Sequence, residues 1–361
     1  MPTHDPSDQH SRARFRRRVW NVLKWAVCLA VIVFVGKRAA TLWNREALQH
    51  AEFHLAWLLA AGGAYVAGTL PAVWFWRKLM QSVGATVRLR DAARAYYCGN
   101  LGKYVPGKAS VLVIRATMMR DRGCRGTLSA LTATYETLMM MAAGLAVAVA
   151  LSPLLLTTTQ TDTWPGWVRR TIAVPWLPAV LMVLLCAVLL PITSRVLTHL
   201  AARMTPAEIL LEGRRVHIPA RLVGCGLLVY LTTWICYGLS LGCALQSLSD
   251  GPLDLSGWPV WVGGISAATV IGFLAIFAPG GVGVREGLLI EILRIQPDVV
   301  PHQAVAAAVL LRLVWLASEI LVAGVLYYFI KPQRPDSETA AADCGQSIEM
   351  KTEVPDPTVG R

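Results

Sequence analysis

The sequence has few charged residues, and this scarcity excludes an ordinary soluble domain. Charged side chains make up 16% of the 361 residues and hydrophobic ones 55%, and the mean hydropathy is +0.50. A soluble domain needs a more polar surface than this composition supplies. The composition therefore predicts a membrane protein.

Cysteine and histidine patterns that hold metals or disulfide frameworks are also missing. The eight cysteines form no Cys-x-x-Cys pair, and most lie in apolar segments, where they act as small hydrophobic side chains. His50 and His54 are spaced to share a helix face, but no HExxH motif and no third ligand accompany them. We therefore expect no disulfide scaffold, no metal site and no cofactor.

Long apolar runs are abundant, and seven are long enough to cross a hydrocarbon core, which takes about 20 helical residues. They lie near residues 19–36, 55–79, 127–151, 172–192, 222–246, 258–278 and 304–330. No small-residue cleavage site follows the first run, so we expect a retained anchor rather than a signal peptide. The predicted fold class is an all-α polytopic membrane protein with about seven to eight transmembrane helices.

Positive charge is concentrated in three segments between the apolar runs. Residues 77–125 contain eleven Lys or Arg against two Asp, and residues 1–18 and 193–221 are rich in arginine. By the positive-inside rule these segments are cytoplasmic, whereas 152–171 and 247–257 lie on the opposite side. Membrane topology thus explains the net charge of +12, and we expect no nucleic-acid partner.

The chain divides into a basic cytoplasmic tail (1–18), a transmembrane domain (19–330) and a polar tail (331–361). The last part carries six acids against four bases, several prolines and no apolar face, so we expect it to be disordered. Seven full crossings from a cytoplasmic N terminus would place this tail outside. An eighth crossing made by an interrupted segment would place it inside.

Two segments of the transmembrane domain are interrupted by Pro-Gly. The first (92–120) contains Tyr-Val-Pro-Gly at 104–107, and the second (279–296) begins within Phe-Ala-Pro-Gly at 277–280. Such breaks predict re-entrant helices that neighbouring helices shield from lipid. For the first segment, a surface amphipathic hairpin is the alternative.

The shared aromatic-x-Pro-Gly pattern suggests an internal repeat. Each copy is followed by an arginine and then by an apolar span that contains an acid, so we interpret residues 55–151 and 258–330 as two structural repeats. Transporters commonly use such duplications, in which discontinuous helices from each half meet near the bilayer midplane.

Both interrupted segments come close to nucleotide-binding motifs without matching them. In GNLGKYVPGKAS (99–110), Ala109 stands where a P-loop needs a hydroxyl for Mg²⁺, and the flanks are apolar helices rather than a buried strand. In GGVGVREG (280–287), Glu286 occupies the third glycine position of the dinucleotide pattern. A proline-led helix start with free N–H groups nevertheless attracts anions. We predict a bound phosphate without ATP chemistry.

Several charged residues lie inside apolar segments, where facing lipid would be costly. Glu136 lies deep in its span, and Arg312 and Glu319 are two turns apart on one face of the last span. Arg115 and Arg285, from the interrupted segments, are their natural partners. The alternative to a functional role is a set of structural ion pairs that lock the bundle.

These residues define a predicted binding site for a phosphate head group. Lys103, Lys108 and Arg115 would form one half with the Pro-Gly helix start, and Arg285 and Glu286 the opposing half. The predicted binding residues are Lys103, Pro106, Gly107, Lys108, Arg115, Glu136, Pro279, Gly280, Gly281, Arg285, Glu286, Arg312 and Glu319. Either buried glutamate would carry a proton or act as a counter-ion. No close acid pair or nucleophile-base motif is present, so we expect no catalytic residues and no enzyme activity.

The motifs also resemble a known family. GNLGKYVPGKASVLVIR with RDRG and ATYETL, then FAPGGVGVREG and the LLRLVWLASEI span, are similar to the lysylphosphatidylglycerol synthase transmembrane-region family, or flippase-like membrane proteins. The similarity covers about residues 20–330. It implies a bacterial inner-membrane bundle with re-entrant helices that moves anionic or aminoacylated phospholipids, or polyprenyl-linked sugars, between leaflets. The family often has an acid or second glycine after the first Pro-Gly, where this chain has Lys108 and Ala109.

The resemblance implies a lipid or lipid-linked-intermediate translocase with a cytoplasmic N terminus. Because the chain ends soon after its last span, we expect no aminoacyl transferase domain. The alternative is a non-transporting membrane partner that presents lipid-linked substrate to a separate glycosyltransferase or aminoacyltransferase. A membrane enzyme that uses its carboxylates directly ranks last.

Overall fold

The structure, a computed structural model, describes residues 54–104, 109–120, 124–156, 166, 174–204, 218–249, 254–274, 283–296 and 299–329. Within these residues there is no β-strand. The α-helices are α1 (Leu55–Ser82), α2 (Leu89–Asn100), α3 (Ala109–Arg120), α4 (Gly126–Ala150), α5 (Ser152–Leu156), α6 (Leu177–Met204), α7 (Ala220–Gln246), α8 (Trp258–Leu274), α9 (Val284–Arg294) and α10 (Pro301–Phe329). Short 3-10 helices, Leu101–Tyr104 and Leu255–Gly257, follow α2 and precede α8.

Six helices are long and apolar enough to cross a membrane: α1, α4, α6, α7, α8 with its preceding turn, and α10. They correspond to the second through seventh predicted spans, and the all-α polytopic membrane fold is confirmed. The predicted anchor at 19–36 and both predicted tails lie outside the described residues.

The helix α6 differs from its prediction. It continues past residue 192 to Met204, so Arg195 and Arg203 lie on a helix rather than in a loop. Its large apolar side chains are exposed, among them Val183 at 68% and Val188 at 61%. Acyl chains are the natural cover for such a surface, because lipid is as apolar as the side chains.

The centre of the bundle is the packing of α1 against α7. Small and hydroxylated residues let the two backbones approach, as is usual between membrane helices. Thr233 Oγ1 donates to the Gly68 carbonyl at 2.8 Å, and Ser240 Oγ donates to the Ala61 carbonyl at 2.7 Å. The two helices therefore form a rigid frame for the shorter ones.

The helices α2 and α3 form an antiparallel hairpin. Gly99 lies beside the Arg115 side chain, and Gly102 lies beside Ser110 and Val111 at the narrow end. A Cβ at Gly102 would stand 2.8 Å from the Val111 nitrogen, so only glycine allows this approach. The predicted Pro-Gly break at 106–107 falls outside the described residues, between the two helices.

The helices α8 and α9 form a second antiparallel hairpin. Gly272, near the end of α8, lies against Arg285 at the start of α9, and Gly264 lies against Ile292, two turns further along α9. The break between them, 275–282, is outside the described residues. Because α9 runs back along α8, the pair begins and ends on the same side of the bundle.

The two hairpins enter the bundle from opposite sides. We call the side that holds the start of α1 the first side; the end of α7 lies there too, since His54 N donates to the Ser247 carbonyl at 3.2 Å. Gly242, near that end of α7, packs against Trp261 at the start of α8, so the α8–α9 hairpin enters from the first side.

The opposite side, which we call the second side, holds the end of α1 and the open end of the α2–α3 hairpin, where α2 begins and α3 ends. Arg77 Nε, near the end of α1, donates to the carbonyl of Val87, just before α2, at 2.8 Å. The helix α10 crosses from the first side to the second, where the Arg94 guanidinium lies 4.7 Å from the Tyr327 ring. The closed ends of both hairpins therefore approach the middle of α10.

Candidate functional site

Two buried charge centres lie within the bundle, and both contain predicted site residues. The first, the Arg115–Glu136 pair, joins α3 to α4. The second, which we call the five-charge cluster, joins the two hairpins to α10. Its members are Lys103, Arg285, Glu286, Arg312 and Glu319.

The Arg115–Glu136 pair is closed by hydrogen bonds. Arg115 Nη1 donates to Glu136 Oε2 at 2.7 Å and Nη2 donates to Asn100 Oδ1 at 2.8 Å. The other carboxylate oxygen, Glu136 Oε1, accepts from the hydroxyls of Tyr96 at 3.1 Å and Tyr230 at 2.6 Å. Four helices, α2, α3, α4 and α7, thus meet at one pair.

Aromatic rings and burial complete this centre. The Arg115 guanidinium lies 4.1 Å from the Tyr96 ring centre and 5.0 Å from that of Trp76. Arg115 and Glu136 are each 2% exposed. A buried ion pair is tolerated only when the remaining donors and acceptors are satisfied. This arrangement meets that condition at all but the Arg115 Nε atom, so it resembles a structural lock.

In the five-charge cluster, Glu319 of α10 meets the tip of the α2–α3 hairpin. Its Oε1 atom accepts hydrogen bonds from the Lys103 ammonium and the Tyr65 hydroxyl. Glu319 is 1% exposed, whereas 32% of the Lys103 side chain is exposed. Glu319 Oε2 is buried and has no hydrogen-bond partner among the described residues.

One turn before the midpoint of α10, Arg312 meets the start of α9. Its Nη1 atom lies 3.6 Å from Glu286 Oε1, which is an ion pair but too long for a hydrogen bond. The guanidinium lies 5.1 Å from the Tyr104 ring centre. Arg312 is 6% exposed, and its Nη2 atom has no hydrogen-bond partner in the described part of the chain.

Arg285 has no acidic partner in direct contact within the described ranges. Its guanidinium lies 4.3 Å from the Trp315 ring centre, and the residue is 7% exposed. Trp315 in turn stacks on Tyr65, with ring centres 4.4 Å apart. An aromatic face holds a guanidinium in place by cation–π attraction.

Among the described residues, the cluster has one positive charge in excess. The charges of Arg285 and Arg312 act on one another and on Lys103, so the three cations share one site. Two carboxylates, Glu286 and Glu319, face these three cations. A buried excess charge favours a bound anion, because burial without a counter-charge is costly.

The structure groups the predicted residues differently from the prediction. Lys103, Arg285, Glu286, Arg312 and Glu319 come together, but Arg115 faces Glu136 instead of joining Lys103 in one half-site. The hairpin geometry explains this difference: α3 packs against α2 and α4, which turns Arg115 toward Asn100. The other predicted residues lie outside the described ranges: Pro106, Gly107, Lys108, Pro279, Gly280 and Gly281.

Sequence reasoning missed the aromatic residues of both centres. Tyr65, Tyr230 and Trp315 lie at the middle of long apolar helices, where membrane-interface belts do not reach. Their central position in apolar helices is the sequence feature that could have identified them. A buried tyrosine hydroxyl or indole N–H needs a polar partner.

A cavity of about 550 Å³ lies between α9 and α10, outside the five-charge cluster. Its lining residues are Gly287, Ile290, Glu291, Arg294, Pro301, His302 and Val305. Glu291 and Arg294 form an ion pair here, with 3.0 Å between Arg294 Nη1 and Glu291 Oε1. Both side chains are well exposed, so this pair contributes little to stability.

Comparison with known proteins bears on the whole transmembrane region. The family model described as the lysylphosphatidylglycerol synthase TM region matches residues 21–323, a range that contains both hairpins and both charge centres. A comparison with curated proteins gives no match. The resemblance carried by the Pro-Gly motifs is confirmed: the chain belongs to the lysylphosphatidylglycerol synthase transmembrane-region family.

Proposed function

We propose that the protein is a flippase-like translocase that binds the phosphate of a lipid head group at the five-charge cluster and moves that lipid between leaflets, without bond-making chemistry. The observation that carries the proposal is the uncompensated positive charge of the cluster, held between two hairpins that enter from opposite sides. The substrate class is a membrane phospholipid or a polyprenyl-linked lipid.

The chemistry of the cluster suits phosphate. Arg312 Nη2 has no partner among the described residues, and the Arg285 guanidinium lies over the Trp315 ring at 4.3 Å. Guanidinium groups bind phosphate oxygens through charge-assisted hydrogen bonds with defined geometry. A buried donor without an acceptor is costly, so a phosphate that supplies acceptors is stabilising.

The position of the cluster suits alternating access. The Lys103–Glu319 pair ties the α2–α3 hairpin to α10, and the Arg312–Glu286 pair ties α10 to the α8–α9 hairpin. Rocking of either hairpin would open the site to one side while the other pair holds. Discontinuous helices that meet at the midplane support this mode of transport in other folds.

The charge distribution supports an orientation. The α2–α3 hairpin lies within the strongly basic segment 77–125, so we assign the second side to the cytoplasm of a bacterial inner membrane. The end of α10 at Phe329 lies on that same side. The N terminus would then be cytoplasmic if the segment 19–36 crosses once, and the head group would enter from the cytoplasmic leaflet.

Leaflet exchange of a head-group-labelled anionic lipid in reconstituted liposomes tests the proposal. We expect Arg285→Gln to reduce the rate about tenfold or more, since a hydrogen bond between charged groups contributes about 1.5–3 kcal/mol. Arg294→Gln is the matched control on the same helix, and its rate should equal that of the wild type.

Equal exchange in wild-type and empty vesicles would overturn the translocase. Head-group binding without exchange, together with co-purification of a glycosyltransferase or aminoacyltransferase that needs this chain, would instead support the non-transporting partner.

A further inference from the structure

Glu286 is an acid placed beside the predicted anion site, and its own helix holds it there. Glu286 Oε2 accepts the N–H of Gly283 at 2.8 Å, the residue that precedes α9 and has φ +87°. This bond is one half of a capping box, in which the third helical residue reaches back to the N–H at the helix start; Gly283 has no side chain to form the other half. The carboxylate is therefore fixed independently of any ligand.

The second oxygen of this carboxylate faces the cluster. Glu286 Oε1 lies 3.6 Å from Arg312 Nη1, is buried, and has no hydrogen-bond partner in the described part of the chain. Only 19% of the Glu286 side chain is exposed, so water screens its charge weakly. The site thus holds a fixed carboxylate beside the Arg312 guanidinium, whose Nη2 atom has no partner among the described residues.

Charge counting then limits the ligand. Lys103 and Glu319 neutralise one another, and Arg285 and Arg312 face Glu286, which leaves one positive charge among the described residues. A ligand with one negative charge brings the cluster to neutrality. A second negative charge on the ligand would face Glu286 in a poorly screened setting, where like charges repel strongly.

We infer that Glu286 is a specificity-determining residue that selects a singly charged phosphodiester head group over a doubly charged phosphomonoester. The inference rests on the proposed phosphate site but not on transport. The competing reading is that Glu286 only caps α9. Glutamine also serves at the third position of a capping box, so Glu286→Gln keeps the cap and removes the charge.

Equilibrium binding of two matched short-chain lipids to the purified full chain in detergent tests the inference. Dihexanoyl phosphatidylglycerol carries one charge, whereas dihexanoyl phosphatidic acid at pH 8 carries nearly two, because the second phosphate pKa is about 6. We expect the wild type to bind the phosphatidylglycerol about tenfold more tightly. Glu286→Gln should lose most of this preference, and Glu291→Gln, on the same helix, should keep it.

A measurement on the wild type alone makes the test independent of any variant. At pH 5.5 phosphatidic acid carries about one charge, so its affinity should approach that of phosphatidylglycerol measured at the same pH. Phosphatidylglycerol keeps one charge at both pH values and therefore reports any change in the protein itself.

Each outcome decides the inference separately from transport. An unchanged preference in Glu286→Gln, a wild-type preference for phosphatidic acid at pH 8, or no saturable binding of either lipid would overturn it. Charge selectivity that depends on Glu286, with no leaflet exchange in liposomes, would overturn the translocase and leave the selectivity standing. Leaflet exchange without charge selectivity would support the translocase and overturn the inference about Glu286.

Discussion

The Arg115–Glu136 pair and the five-charge cluster place the same kinds of side chain in the same apolar bundle, yet their surroundings differ. In the first, one cation meets one carboxylate, and both carboxylate oxygens are hydrogen bonded. In the second, three cations meet two carboxylates, and Arg312 Nη2, Glu286 Oε1 and Glu319 Oε2 have no hydrogen-bond partner among the described residues.

This difference assigns a structural role to the first centre and supports the proposed binding role of the second. Where every buried charge has its partners, no ligand is needed, and removal of one of the charged side chains destabilises the fold. Where positive charge is in excess and the buried donor Arg312 Nη2 has no acceptor among the described residues, an anion that enters lowers the free energy of the site. Burial of charge alone, which both centres share, does not distinguish the two roles.

Loss of the Arg115 charge from the Arg115–Glu136 pair should have the greatest effect on stability. Arg115→Ala should lower the free energy of unfolding by about 3–5 kcal/mol, because Glu136 stays buried without its counter-charge. Chemical unfolding in mixed micelles measures this. The double variant Arg115→Met with Glu136→Leu should recover most of the loss, since it removes both charges. A loss no greater than that of Arg294→Ala, at the exposed pair, would contradict the structural assignment.

Replacement of Glu319 or Glu136 by glutamine tests how well each centre tolerates the loss of its carboxylate. Glu319→Gln should cost about 1–3 kcal/mol of unfolding free energy and Glu136→Gln more. The reason is that Lys103, with 32% of its side chain exposed, can turn its ammonium to water, whereas Arg115 cannot. The same unfolding experiment ranks the two variants, and equal losses would show that the centres are equally closed.

Loss of the Tyr104 ring, which lies beside the Arg312 guanidinium, should have a small effect on head-group binding. Tyr104→Leu removes a cation–π contact of about 0.5–1 kcal/mol and should weaken head-group binding about two- to fivefold. Titration with dihexanoyl phosphatidylglycerol measures this. Tyr96→Phe, which removes a hydroxyl from the other centre, should lower stability and leave the affinity unchanged. A larger loss of affinity in Tyr96→Phe would mean that the two centres act as one site.

The spans and the interrupted segments were predictable because they depend on local composition. Six apolar runs became the six long helices, and a charge inside such a run has to find a partner, as Arg115 and Glu136 do. The extension of α6 was not predicted because the apolar run ends where the arginine-rich segment 193–221 begins, although long basic side chains can reach the interface from a helix.

The identity of each partner could not be predicted in the same way. Lys103 and Glu319 are 216 residues apart, and their meeting depends on how the α2–α3 hairpin packs against α10. The prediction placed Lys103 and Arg115 in one half-site, but the packing of α3 between α2 and α4 turns Arg115 toward Glu136. Tertiary packing, not helical periodicity, determines which charged residues pair.

The depth of the five-charge cluster has a consequence for transport. Trp315 is the middle residue of the 29-residue helix α10, with Arg312 and Glu319 one turn to either side. A hydrocarbon core is about 30 Å thick, so in the proposed translocase a head group from either leaflet would travel about 15 Å before these side chains replaced its water. The distance to the site would be the same from both leaflets, and the direction of net movement would then follow from lipid concentrations or an added energy source.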